Sequence, residues 1–152
     1  MAMRRMVVLA GTAALVGSGV TAAHADDADD DRYVRQAFRA TNAQREDDGL
    51  GKLRANDCLD RAAIRQAKRM AERQQLFHQD LRKLLRSCGL SRAGENVADG
   101  YDNGKAVVLE GWMESAGHRA NILDRSYRLM GIGAHQSDDG VWYAAQVFGR
   151  QA

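Results

Sequence analysis

Histidine is the residue type most able to do chemistry in this sequence, and the chain has four. His24 lies in an apolar N-terminal leader, and His135 lies in a predicted hairpin with no partner nearby in sequence. His78 and His118 each stand beside a predicted structural break, and Glu95 lies between them in the segment GEN. Two imidazoles and a carboxylate form the ligand set of an open zinc site. The same groups can act as base, orienting residue and acid in hydrolysis.

The spacing of these three residues identifies neither chemistry. They are too far apart for an HExxH zinc motif, so the sequence does not show that they meet. Each also has a structural interpretation. His78 would end a helix, Glu95 would accept hydrogen bonds from loop amides, and His118 would stand at a hydrogen-bonded corner. Both interpretations stay open on these grounds.

Ser115 is the one candidate for a nucleophilic serine. Ser115 and His118 are three residues apart, which places two side chains on one face of a continuous helix. Gly117 lies between them and disfavours a continuous helix. The sequence also lacks the GxSxG motif that exposes a nucleophilic serine. A serine–histidine hydrolase therefore has little support.

The N-terminal residues have the layout of a secretory signal peptide. Two arginines precede an apolar run, and AHA forms a small-residue cleavage site. We expect residues 1–25 to be removed and the protein to be secreted, with no transmembrane segment left. A membrane anchor is the alternative, which the glycines in the run disfavour. Loss of Arg4 and Arg5 would change the net charge from +2 to 0, so the overall charge does not indicate a nucleic-acid partner.

Cys58 and Cys88 are the two cysteines of the chain. An even pair in an exported protein predicts a disulfide. The pair would close a loop of about 30 residues and stabilise the fold by roughly 3–4 kcal/mol. A metal-binding thiolate pair would need histidine or more cysteine close in sequence, and neither residue has that. We expect a structural disulfide.

Apolar spacing predicts several helices. A first helix covers residues 31–47, and a second covers residues 57–76. A short helix then ends at Gly89, and a third long helix over residues 105–115 is stopped by Gly117. The arginines of the second helix are spaced four apart. They are Arg61, Arg65, Arg69 and Arg73. This stripe is either a surface for an anionic polymer or, more commonly, a solvated face.

The remaining segments show other patterns. The acidic residues 26–32 are expected to form a disordered lead-in. Residues 92–104 show no regular period, and residues 129–149 predict a β-hairpin with Asp-Gly at its bend. Helices followed by a strand-rich end, without βαβ alternation, predict an α+β layered fold.

Four stretches in chain order carry a resemblance to a known family. NAQREDDGLGKL, ENVADGY, WMESAGHRANIL and YAAQVFG resemble the CAP superfamily. This superfamily comprises cysteine-rich secretory proteins, insect venom antigens and plant pathogenesis-related proteins, and the chain looks most like its short bacterial SCP-domain branch. The resemblance covers residues 33–149, and we expect the domain to span 33–150.

The resemblance implies a three-layer α-β-α sandwich with a small, mainly antiparallel sheet between helices. It also implies a cleft that holds two histidines and two acidic residues in the family. Matched by motif, three of these positions fall on His78, Glu95 and His118. Some eukaryotic members bind a divalent metal through the histidines, which implies a zinc or magnesium site at His78 and His118 here.

The chain departs from the family at the fourth cleft position. Many eukaryotic members have an acidic residue three positions after a tryptophan, whereas Trp112 is followed at that position by Ser115. The neighbouring Glu114 should face elsewhere. The departure removes one negative charge from the cleft and weakens any general acid–base pair.

The stretch GWMESAGHRANIL, residues 111–123, is then mostly architectural. Its expected core anchors are Trp112, Ile122 and Leu123. Gly117 is expected to permit a turn, while Arg119 and Asn121 are expected to satisfy backbone groups at the corner. His118 is the one side chain of this stretch assigned to the cleft.

Three functional hypotheses follow. The first is a secreted CAP-domain module whose cleft binds a divalent metal and a lipid, cell-envelope polymer or protein ligand. The alternative is a metal-dependent or His/Glu-assisted hydrolase of peptide or cell-wall substrates, although a fold does not establish catalysis. The third is a secreted scaffold whose cleft residues form a buried polar network.

Overall fold

The computed structural model describes residues 23–152 of the chain. The predicted signal peptide, residues 1–25, lies outside the described residues except for its last three. The helices are α1 (Ala23–Asp47), α2 (Asp57–Arg73), α3 (Leu81–Cys88), α4 (Gly104–Ala106), a π-helix (Val107–Trp112) and α5 (Ala116–Ile122). The strands are β1 (Arg54–Ala55), β2 (Leu90–Asp99), β3 (Leu129–Gln136) and β4 (Trp142–Gln151). None of the helices in this described part is long and apolar enough to span a membrane.

The four strands form one sheet in the order β1-β3-β4-β2. β4 pairs antiparallel with both β3 and β2, and the two-residue β1 pairs parallel with β3. The predicted hairpin over residues 129–149 is confirmed as β3 and β4. Gly140 has a φ of +85° at its bend, a backbone conformation that glycine adopts without a steric penalty.

The sheet lies between two helical layers. One face packs against α1 and the π-helix, around the fully buried Trp112 and Phe148. The other face packs against α2 and α3, around the fully buried Leu59 and Val147. Consecutive residues of β4 alternate between the two layers, as the two-residue period of a strand requires. The predicted three-layer α-β-α sandwich is confirmed.

The predicted disulfide is also confirmed. Cys58 and Cys88 are bonded, with their Cα atoms 5.8 Å apart. The bond joins the first turn of α2 to the last turn of α3. Each helix has its own cap as well, since the Asn56 side chain accepts from the amides that open α2, and Gly89 ends α3 in a left-handed conformation.

The interpretation of residues 92–104 as irregular is wrong for its first eight residues. Leu90–Asp99 is strand β2, which pairs with nearly the whole of β4. Glu95 lies opposite Val147, and Asn96 lies opposite Gln146. Both faces of β2 contact protein, so its sequence shows no alternation of polar and apolar residues.

The acidic lead-in is not a disordered segment in the structure. Residues 26–32 belong to α1, which begins at Ala23. Asp29 pairs with Arg32 at 3.0 Å, and Asp30 Oδ2 lies 3.0 Å from Nδ1 of His135 on β3. Pairs three residues apart support a helix locally, and the contact with His135 ties its first turns to the sheet.

The third long helix is shorter than predicted. The Asn103 side chain accepts from the amides of Lys105 and Ala106 and so begins α4, but the helical run ends at Trp112. Ser115 adopts an extended conformation (φ −100°, ψ 120°) and separates this run from α5. Gly117 therefore neither stops a helix nor forms a turn, because it lies in the first turn of α5. The break is made by the backbone at Ser115.

The loop after α5 supports a prediction about acid stability. Asp124 accepts hydrogen bonds from Ser126 N at 2.7 Å and from Arg92 Nη2 at 2.8 Å. Burial raises the pKa of the Asp124 carboxyl, but the Ser126 hydrogen bonds and the Arg92 charge outweigh burial, so that its pKa is lowered. A group whose pKa is lower in the folded state stabilises the protein above its unfolded pKa and loses this contribution as pH falls.

We therefore expect Asp124→Asn to be less stable than the wild type at neutral pH. The difference should begin to shrink as pH falls below about 4, where the carboxyl of the unfolded chain gains a proton, and should vanish once the carboxyl of the folded protein is neutral as well. Urea unfolding of both proteins across this pH range measures the effect. A stability difference that does not change with pH would contradict the assignment.

Candidate functional site

His78 and Glu95 form a direct pair. His78 lies in the loop between α2 and α3, and Glu95 lies in the middle of β2. His78 Nδ1 is 2.7 Å from Glu95 Oε1. The Glu95 side chain is fully buried, whereas the His78 side chain is 59% exposed. Because a carboxylate oxygen accepts hydrogen bonds, Nδ1 is the donor, and Nε2 is the ring nitrogen that this contact leaves available.

Both carboxylate oxygens of Glu95 already accept hydrogen bonds from neighbouring residues. Its Oε1 also accepts from the Gln79 amide at 3.1 Å, and its Oε2 accepts from the Gln79 side chain. A buried carboxylate with both oxygens engaged by neighbouring groups is suited to orienting the histidine beside it. In a zinc site made of two imidazoles and a carboxylate, all three groups would bind the metal. Here the Glu95 carboxylate instead binds His78.

His118 lies in the middle of α5 and is half-buried. Burial lowers the pKa of its imidazole, and the charge that His78 carries when protonated lowers that pKa further. His118 is neutral at neutral pH, which is the form that binds metal ions or accepts a proton.

Ser115 does not join this group through a hydrogen bond. It precedes α5, and its carbonyl accepts from the Arg119 amide at 2.8 Å. Across residues 28–152, no hydrogen bond connects the Ser115 hydroxyl with His118 or His78. The serine–histidine arrangement that a nucleophile requires is not formed.

The described residues 23–152 contain no cluster of three or more His, Cys, Asp or Glu side chains that could hold a metal ion. Cys58 and Cys88 are bonded to each other and supply no thiolate. His78 and His118 are the two imidazoles that remain at this site as possible metal donors within the described residues.

Polar side chains next to the site form a hydrogen-bonded network. Asn121 Nδ2 donates to Asn96 Oδ1 at 2.9 Å and lies 3.3 Å from the Glu95 carbonyl. Asn96 Nδ2 donates to the His118 carbonyl at 3.1 Å and to Gln146 Oε1 at 3.0 Å. The network thus links β2, β4 and α5, and it fixes the backbone of both Glu95 and His118.

Sequence reasoning found only part of this network. Asn121 was expected to satisfy backbone groups at the corner, which is confirmed by its contact with Glu95. Gln146 and Asn96 were missed, although both are fully buried. Gln146 had a signal, since it is the polar residue inside the apolar run VWYAAQVFG. Asn96 had none, because its segment was not interpreted as a strand.

The corner stretch is architectural, as predicted. Trp112 and Ile122 are fully buried, and Leu123 packs against the same cluster. Arg119 Nη1 donates to the Met113 carbonyl at 2.9 Å and holds the turn between the π-helix and α5. His118 is the residue of this stretch whose pKa is lowered by burial and by the charge of His78.

Comparison with known proteins agrees with this architecture. The sequence profile of the CAP family, described as the cysteine-rich secretory protein family, matches residues 38–148. The protein YkwD of Bacillus subtilis strain 168 is 32% identical over 117 residues, which is 72% of this chain and 45% of YkwD.

Solved structures share the fold. An extracellular protein containing an SCP domain from Bacillus anthracis has a TM-score of 0.75 at 27% identity, over 88% of this chain and 45% of that chain. An outer surface protein from Borrelia burgdorferi has a TM-score of 0.71 at 17% identity, over 78% of this chain and 92% of that chain. The chain spans less than half of YkwD and of the Bacillus anthracis protein. With the family profile covering most of its length, the chain belongs to the CAP family, on its bacterial SCP-domain side.

Proposed function

We propose that this CAP domain is a secreted binding module in which His78 and His118 bind a divalent cation. The observation that carries the proposal is the 2.7 Å contact between His78 Nδ1 and the buried Glu95. A histidine that donates one ring nitrogen to a carboxylate presents the other to a metal in a fixed orientation. His118 supplies a second neutral imidazole, and no side chain within residues 28–152 hydrogen-bonds its ring.

The assigned roles divide the site in two. His78 and His118 are the proposed ligands, and Glu95 is a positioning residue that acts through His78. The two imidazoles would hold zinc or magnesium, and the metal would supply Lewis acidity toward an oxygen of a bound molecule. Zinc suits imidazole donors better than magnesium does. The molecule at the open positions is proposed to be a lipid, a cell-envelope polymer or another protein.

We expect calorimetric titration with zinc to show saturable binding. The variant His78→Ala/His118→Ala should abolish it, and Glu95→Gln should weaken it by about 10- to 100-fold, because the partner of His78 is changed while the side-chain shape is kept. His135→Ala is the matched control, since His135 also contacts a carboxylate but lies on β3. Wild-type binding that persists in the double variant, or that is lost equally in His135→Ala, would refute the proposal.

A second candidate is a hydrolase in which the same residues act as base and orienting group. The His78–Glu95 pair favours it, because a buried carboxylate that fixes a histidine tautomer is the arrangement of a general base. Family members of known fold do not establish activity for this chain. Turnover of a peptide or cell-wall substrate would have to disappear in both Glu95→Gln and His118→Ala; turnover that survives both would belong to a contaminant.

A further inference from the structure

The arginine stripe of α2 does not form a single flat surface. Residues four apart on an α-helix are separated by about 6 Å along the axis and by a drift of about 40° around it. Arg61 and Arg73 at the two ends of the stripe therefore point in directions that differ by roughly 120°. Arg65 and Arg69, in the middle, are the two that line the space between α2 and α3.

This space is a groove of about 380 Å³, which we call the basic groove. Its lining includes Arg65 and Arg69 from α2, Lys83 and Ser87 from α3, and Gln79 and Asp80 from the loop between the helices. The volume falls in the range of small-ligand sites. Gln79 also hydrogen-bonds Glu95, so the basic groove adjoins the residues that support His78.

The cationic side chains of the basic groove are not neutralised by the protein. Within residues 28–152, no carboxylate lies within ion-pair distance of Arg65, Arg69 or Lys83. Asp80 is the one acidic residue of the lining, and its carboxylate accepts hydrogen bonds from the amides of Arg82 and Lys83. Asp80 therefore serves as the cap of α3, and the basic groove keeps an excess of positive charge.

Buried contacts hold the basic groove in shape. Gln66 is fully buried, and its Oε1 accepts from Arg69 Nη2 while its Nε2 donates to the Phe77 carbonyl. The guanidinium of Arg69 is thus positioned by a side chain inside the protein. The Cys58–Cys88 disulfide fixes α3 against α2, which keeps Lys83 opposite the two arginines. Preorganised groups lose less entropy when a ligand binds.

We propose that the basic groove binds a phosphate group. Three cationic side chains converge there, and a phosphate supplies close to two negative charges and three strong acceptor oxygens at neutral pH. A carboxylate supplies one charge and two oxygens, and would leave part of the groove unpaired. Planar guanidinium groups favour paired contacts with phosphate oxygens. The phosphate group is either free in a small molecule or carried by a lipid headgroup.

The test compares two triple variants of the full chain that remove the same charge. Arg65→Gln/Arg69→Gln/Lys83→Gln changes the basic groove. The control Arg61→Gln/Arg73→Gln/Arg82→Gln changes three cations of the same helices outside its lining. Inorganic pyrophosphate is titrated by calorimetry at low salt, and phosphatidylcholine vesicles with and without phosphatidic acid, whose headgroup is a phosphate monoester, are tested by cosedimentation. Thermal unfolding checks that every variant is folded, and the single variant Lys83→Gln replaces the triple if the latter is not.

We expect saturable pyrophosphate binding that is at least about tenfold weaker in the groove variant and changes less than about twofold in the control. Pyrophosphate binding assigns the groove to a free phosphate compound. Binding only to vesicles that contain phosphatidic acid, lost in the groove variant alone, assigns it to a lipid headgroup. Equal weakening in both triple variants would mean a diffuse electrostatic attraction and would overturn the proposal, as would a lack of binding to either probe. Zinc binding at His78 and His118 is a separate measurement and does not depend on the result.

Discussion

Replacing Gly131 by alanine is expected to destabilise the folded protein strongly. A Cβ atom at Gly131 would lie 2.2 Å from the Leu59 carbonyl carbon and 2.3 Å from the Asp60 amide nitrogen. Both are backbone atoms of α2, so no side-chain rotation can relieve the overlap. The helix or the strand has to move, and overpacking of this kind costs about 3 kcal/mol or more. Urea unfolding followed by circular dichroism measures the loss.

Gly117→Ala is the matched control for this prediction. Nothing lies within 4 Å of a Cβ atom at Gly117, which is in the first turn of α5. Alanine there lowers the entropy of the unfolded chain and should change stability by less than about 1 kcal/mol, in the stabilising direction. Similar stabilities for both alanine variants would show that α2 does not pack on β3 as closely as the structure has it.

Arg45→Met is expected to destabilise the protein nearly as strongly. The Arg45 side chain is 1% exposed at the end of α1. Its Nε donates to the Gly51 carbonyl at 3.0 Å, and its Nη1 donates to the carbonyls of Ile122 at 2.7 Å and Asp124 at 2.9 Å. These bonds join α1, the loop before β1 and the end of α5. Methionine fills part of the space but leaves the buried Ile122 carbonyl and two partly buried carbonyls without their donor, which costs about 3 kcal/mol.

Two further arginine variants test whether the lost hydrogen bonds of Arg45 cause the destabilisation. Arg39→Met changes an exposed arginine two turns earlier on α1 and should be within about 0.5 kcal/mol of the wild type. Arg45→Lys keeps the charge but presents a single nitrogen, so it should recover only part of the lost stability. Thermal and urea unfolding of the three variants measure these differences. A loss below about 1 kcal/mol in Arg45→Met would show that the three carbonyls find other donors, most simply water.

The parts of the fold that local chemistry controls could be predicted from the sequence. The β3–β4 hairpin follows from two apolar runs around Asp-Gly, and the end of α3 follows from Gly89, which adopts a left-handed conformation. The buried face of α2 is rich in alanine, and its partner is the glycine-containing surface of β3. These signals depend on a few neighbouring residues, so they can be recognised in a single sequence.

Contacts between distant segments could not be predicted in this way. Arg45 is one arginine among many, and its burial depends on carbonyls that come from almost eighty residues further along the chain. Strand β2 was missed because its order comes from pairing with β4, which brings Asn96 opposite Gln146. In the same way, the residue types of His78 and Glu95 suggested chemistry, but their hydrogen bond required the loop after α2 to meet the middle of β2. A sequence pattern reports which face of an element is buried, whereas the atoms that meet across that face depend on how the whole chain packs.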